Sequence, residues 1–284
     1  TTFNLAGNWS PAAAPGPTHD CVIPAGAGTI NVGGTSVRSI TTARNLFVEA
    51  CTTVNLTGGL TLQSGAIVQI DNTGGCSALV FKGGAQSIAG SGSIFISSEG
   101  NGGRAISVQD ACTLTIESGV AIGYGPSTWG TSAQLYIEAG SSIASASTIS
   151  VQQAGLTLSI AGPGSFTNSG TLKADAGTLN LQAGSWRNSG AVQIASGAVA
   201  GFGGSFASLG SVVNSGGTVK VTGAANSSTI TATASTGPIT LAGATLVACT
   251  LQSADGTGFV TDGTCTLSGC TVGANLTLGS CSKI

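Results

Sequence analysis

Phe166-Thr-Asn-Ser-Gly-Thr-Leu172 returns twenty residues later as Trp186-Arg-Asn-Ser-Gly-Ala-Val192. An aromatic residue, then Asn-Ser-Gly, then an aliphatic residue hold their interval while almost everything between them drifts. Asn168, Asn188 and Asn214 each open an Asn-Ser-Gly, at spacings of 20 and 26. If successive windings of the chain stack in parallel, equivalent side-chain amides line up about 4.8 Å apart and can bond to one another as a ladder. A sandwich of antiparallel hairpins supplies no reason for such a register. Phe166 and Trp186 then share one face, and Leu172 and Val192 fill the adjoining core column.

Short alternating segments recur along nearly the whole chain, among them Ile30/Val32, Leu46/Val48, Val68/Ile70, Ile94/Ile96, Leu114/Ile116, Leu158/Ile160, Val192/Ile194 and Leu276/Leu278. Each reads as a strand with one buried side. Ser-Gly, Gly-Gly and Ala-Gly turn signals separate them, and no stretch carries a helical period or a capping box. The expected fold is all-β: a right-handed parallel β-helix of roughly a dozen coils, forming a single β-solenoid over 1–284. Within it, 1–29 reads as N-terminal extension and cap, 30–245 as coils and 246–284 as Cys-rich terminal coils. Trp9 is expected to cover the open end of the core, while Pro11, Pro15 and Pro17 blunt the strand edge.

Eight cysteines stand at Cys21, Cys51, Cys76, Cys112, Cys249, Cys265, Cys270 and Cys281, with no C-x-x-C pair and a single histidine in the chain. That pattern disfavours zinc and favours disulfides, whose pairing the sequence leaves open among 105 possibilities. Cys112-Thr-Leu, Cys249-Thr-Leu, Cys265-Thr-Leu and Cys270-Thr-Val look like one local motif reused. It predicts staples between neighbouring coils, each worth about 2 to 4 kcal/mol. Methionine is absent and residue 1 is Thr, so a removed N-terminal segment, most simply a secretion signal, is expected. An oxidising, extracellular location follows from these two expectations.

Charged residues are only 6% of the 284, and the formal net charge is -2. No basic stripe offers itself to nucleic acid, and no apolar run approaches the roughly 20 residues of a bilayer span. Asn8-Trp9-Ser10-Pro11, Pro15-Gly16 and Asp20-x-Val22-Ile23-Pro24-x-Gly26, followed by Gly/Ser/Thr-rich strand repeats, resemble the secreted bacterial β-helical proteins of the filamentous haemagglutinin and autotransporter-adhesin type. The resemblance implies a surface-displayed adhesin, matrix or repeat protein. Cys21 departs from it, because an aliphatic residue is usual there and the family is generally cysteine-poor.

Catalytic candidates are few. Glu117 and Glu138 lie 21 residues apart in matching contexts and would form a carboxylate pair if stacked, with solvated strand ends as the plainer reading. His19 beside Asp20 reads as a loop histidine, and Asp71-Asn-Thr-Gly-Gly75 as a turn rather than a calcium loop. Threonine pairs such as Thr229/Thr231/Thr233 reflect β-propensity rather than an ice-binding array. Sequons stand at Asn8, Asn55, Asn226 and Asn275. The expectation is therefore a structural protein and not an enzyme, with no cofactor and no metal. Its partners would be copies of itself in an extracellular filament, sheath or matrix, with Thr1, Thr2, Phe3, Asn4, Leu5 and Ala6 as an added strand on a neighbouring subunit. The alternative is an adhesin binding surface glycans through Trp129 and Tyr124, and a carbohydrate-active enzyme comes third.

Overall fold

The computed structural model describes residues 2–63, 65–71, 77–97, 103–125 and 131–279. The chain is all-β, about 62% strand, and winds into a parallel β-solenoid of about 12 turns. Each turn contributes to three faces. Face A begins with Asp20–Ile23, face B with Ile30–Val32 and face C with the start of Thr35–Thr42, whose second half already belongs to the next coil of face A. Every strand pairing is parallel and joins one coil to the next, so the pairing holds coils rather than hairpins together. On face B, Thr229–Ala232, Thr250–Ser253 and Thr271–Gly273 form a sheet of their own.

Register turns the alternation of apolar residues into vertical columns. On face B, Leu46, Val68, Ile94, Ile122, Ile149, Leu172, Val192 and Val212 stand directly above one another. On face C the column runs Leu79, Ile106, Leu135, Ile160, Leu181, Phe202, Val221 and Leu241. These side chains are buried in one cluster that extends from Phe3 to Cys265. Each contributes about 1.5 to 3 kcal/mol by leaving water. Coils take from 16 residues (Ile30 to Leu46) to 30 (Gly103 to Ala133), and the corners absorb nearly all of the difference.

The repeated heptapeptide is a corner between faces A and B. Phe166 sits over Trp186 and Trp186 over Phe206, with the latter two rings stacked at 4.9 Å. The Trp186 indole donates to the Gly203 carbonyl at 2.7 Å. Asn168 and Asn188 turn inward at the corner, fully buried, and Gly170 and Gly190 follow them. A Cβ on Gly190 would run into the Gly170 carbonyl oxygen, and one on Gly170 into the Ser147 carbonyl of the coil before. Glycine is required there by close approach of backbone to backbone, which is a steric rather than a conformational demand.

The N-terminal end is closed, though not as Trp9 alone predicted. Thr2 bridges to Asn31, the Phe3 amide donates to the Asn31 carbonyl, and the Phe3 ring is 1% exposed inside the first coil. Trp9 packs edge-on against Phe3 at 4.9 Å and donates its indole N–H to the Phe3 carbonyl. Phe3 is the plug and Trp9 its cover.

The disulfide-stapled solenoid needs correction. Cys21, Cys112, Cys249, Cys265 and Cys270 are free thiols; Cys51 is disulfide-bonded, and Cys76 and Cys281 lie outside the described residues. The shared Cys-Thr-Leu/Val motif places cysteine just before a strand, but at two different corners. Cys112 and Cys265 enter face A, whereas Cys249 and Cys270 enter face B. The Sγ atoms of Cys249, Cys265 and Cys270 each donate to a carbonyl of the preceding coil, those of Ala225, Leu241 and Leu246, at 3.2 Å. One coil before Cys249, Ser228 fills the same slot and donates to the Phe206 carbonyl. These cysteines therefore serve as small donors in a serine-like position, buried at Cys249 and Cys265 and half-buried at Cys270.

Two glycine substitutions separate the corner constraint from backbone conformation. Gly190→Ala must displace backbone and is expected to cost about 3 kcal/mol. Gly197 has a positive φ of 74° but open space around its Cβ position, so Gly197→Ala should cost only about 1 to 2 kcal/mol. Urea midpoints measured side by side check the order; equal losses would refute the steric account.

Candidate functional site

The sequence candidates for chemistry are kept apart by the winding. Glu117 ends the face A strand Thr113–Ile116, and Glu138 ends the face C strand Ser132–Ile137, so they occupy different corners. Each accepts a backbone N–H from the coil before, Glu117 from Gly90 at 3.4 Å and Glu138 from Asp110 at 3.1 Å. They work as acceptors for corner amides and not as a carboxylate pair. His19 Nδ1 accepts from the Gly16 amide at 2.8 Å and closes a turn. Asp20, its neighbour, reaches the next coil instead, where it takes both arms of the Arg38 guanidinium and the Ser39 hydroxyl. Residues 72–75 of the calcium-like stretch lie outside the described residues, and no cluster of three metal-binding side chains occurs among the described ones.

The amide ladder exists between two of its three predicted members. Asn168 Nδ2 donates to Asn188 Oδ1 at 2.8 Å, and Asn188 Nδ2 donates onward to the Leu209 carbonyl at 2.7 Å. Asn188 Oδ1 also accepts from the Gly190 amide, so one side chain serves both its own corner and its neighbour. Asn214 stands elsewhere. It is in register with Ile194 on face B and bonds to Gly217 and to the Thr236 carbonyl at the next corner. A shared tripeptide thus appears at two different corners, a distinction the intervals of 20 and 26 conceal.

The glycan platform expected at Tyr124 and Trp129 is not formed by Tyr124, which is a fully buried core residue; Trp129 lies outside the described residues. The Thr1 to Ala6 strand reserved for a neighbouring subunit is likewise committed within its own molecule from Thr2 to Asn4. Asn4 Nδ2 donates to the Gly34 carbonyl, and Asn8 Nδ2 holds the Thr2 carbonyl; Thr1 itself is outside the described residues.

What the winding does build is a groove of about 560 Å³ on face A. Its floor is four residues in vertical register, Thr115, Ala144, Thr167 and Arg187. Its wall is the corner between faces A and B, made of Ser145, Ala146, Ser169 and Ser189. The small Ala144 side chain stands in register between two threonines and leaves room over the floor. Sequence reading passed over these residues because each is an ordinary strand or turn residue; only coil register makes them neighbours. A second cleft of about 560 Å³ lies under the cap between Trp9, Val22, Ile30 and Arg44.

Compared with protein-family models, with curated proteins and with solved structures, the chain matches none. Among the described residues no helix is long and apolar enough to cross a membrane.

Two buried thiols give the fold a pH signature. Burial pushes Cys21 and Cys112 from the ordinary 9.0 up to about 11, with the Gln86 side chain drawing Cys112 slightly back. Between those values the unfolded chain ionises its thiols while the folded one keeps them protonated, so stability falls as pH rises from about 9 to about 11. The Cys21→Ala/Cys112→Ala double variant should lose less stability over that window than the parent, as read from urea midpoints at pH 8, 9.5 and 11. Parallel profiles would contradict the assignment.

Proposed function

We propose that the chain is a structural subunit that assembles end to end with copies of itself into an extracellular filament, sheath or matrix. The observation that carries this reading is the exposure of core-column side chains in the last described coil. Val272 lies in register with the buried Leu251, and Leu278 continues the face C column through Thr261 and Leu241. Both occupy core columns, yet they are 44% and 60% exposed among the described residues. The strands Thr266–Ser268, Thr271–Gly273 and Leu276–Leu278 present edges that another chain can pair with. A chain with only 6% charged residues adds weak repulsion between copies.

The contact differs from the one the N-terminal segment suggested. With Phe3 serving as its own plug, the joining surface is the last described coil of one copy. The cap of the next copy, where Leu5 and Val22 are 57% and 66% exposed, is the apolar surface at the opposite end.

Light scattering and negative-stain microscopy test the proposal on the reduced protein. Twelve coils at about 4.8 Å give a rod of about 60 Å, so the parent should form longer rods as concentration rises. Leu278→Lys and Val272→Lys should keep the far-UV circular dichroism and remain single short rods. A parent that stays monomeric throughout, or lysine variants that lengthen as the parent does, would sink the reading.

A further inference from the structure

We propose that the groove on face A binds a linear acidic polysaccharide laid along the solenoid axis, with Arg187 taking the carboxylate or sulfate of one sugar. The inference is independent of end-to-end assembly, since the groove lies on the flank and involves neither terminal coil.

Three features of the groove select this chemistry. Its floor repeats once per coil, so Thr115, Ala144, Thr167 and Arg187 are spaced at about 4.8 Å and span about 14 Å. An extended glycan advances by a similar step per ring, and its successive rings then meet equivalent positions of the floor. Hydroxyls line both floor and wall, at Thr115, Thr167, Ser169 and Ser189. The Ser169 and Ser189 hydroxyls donate to the Ser145 and Asn168 carbonyls of the preceding coil and so face the groove as acceptors. The threonine hydroxyls of the floor can donate or accept, and together these suit a ligand whose own hydroxyls do both. No aromatic ring lines the groove, so recognition rests on polar contacts.

Arg187 supplies the charge. The other three arginines are engaged: Arg38 with Asp20, Arg44 with the Ala27 and Gly28 carbonyls, and Arg104 over the Tyr136 ring at 3.6 Å. Arg187 is exposed and has no carboxylate within ion-pair distance among the described residues. Its planar fork is suited to a carboxylate or a sulfate, which it can hold through two parallel bonds. No acidic residue lines the groove, and Glu117, two residues beyond Thr115, is turned to the Gly90 amide of the preceding coil. A single cation on a chain of net charge -2 is poorly suited to a nucleic acid, whose every residue carries a phosphate.

Isothermal titration on the full chain provides the test, with tetramannuronate, the neutral mannotetraose and sodium sulfate as probes. Tetramannuronate should bind more tightly than mannotetraose by about tenfold or more, the value of one charge-assisted hydrogen bond. Arg187→Gln should remove that difference while leaving mannotetraose unchanged. Ala144→Trp, at a half-exposed position, should fill the floor and abolish binding of both sugars with far-UV circular dichroism retained. Equal affinity for the two tetramers, an Arg187→Gln variant that binds as the parent does, or no binding by any probe would overturn the proposal. Sulfate alone binding as tightly as tetramannuronate would replace it with a simple anion site.

Discussion

Each coil must turn three corners with its backbone riding one strand spacing from the coil before, and confinement at those corners governs the rest of the structure. Along the faces, parallel pairing leaves ample room and asks only that alternate residues be apolar. At a corner the chain bends against the carbonyls of its neighbour, so the amides and oxygens freed from the ladder must be satisfied in a tight space. Gly170 and Gly190 meet the steric half of that demand, and Asn168 and Asn188 the hydrogen-bonding half. Glu117, Glu138 and the thiols of Cys249, Cys265 and Cys270 answer the same demand elsewhere, each bonding a backbone group of the preceding coil.

That common task explains why residues with reactive reputations turn out to be structural here. A buried thiol that donates to a carbonyl differs little from the serine it replaces one coil away. A glutamate that accepts from a corner amide is positioned by its own coil, and so cannot be brought to a second glutamate at another corner. The exposed faces, in contrast, are freed from packing demands, and it is there that a site can be assembled from unremarkable residues. Thr115, Ala144, Thr167 and Arg187 come from four coils and acquire meaning only as a column.

The two ends of the solenoid are unlike. At the first coil the chain returns over its own core, and the buried Phe3 ring covers it. In the last described coil the columns continue into Val272 and Leu278, which are exposed. The first and last described coils therefore present unlike surfaces, and contacts between unlike surfaces, as proposed above, extend as a filament rather than close as a dimer.

The sequence by itself determined the strands, their parallel stacking, the number of coils and the pairing of Asn168 with Asn188, because alternation and a repeated corner tripeptide are local patterns with one sterically sensible winding. It did not determine which corner each Asn-Ser-Gly or Cys-Thr-Leu occupies. Coils vary in length, and an insertion at one corner shifts every later residue around the perimeter, which is how Asn214 left the ladder and Cys112 parted from Cys249. Only the tertiary structure decided that Phe3 rather than Trp9 fills the core, that five cysteines remain thiols, and that Arg187 stands above three small side chains. Those facts depend on register between coils some 20 residues apart, and register is set by the packing of the whole column and not by any segment within it.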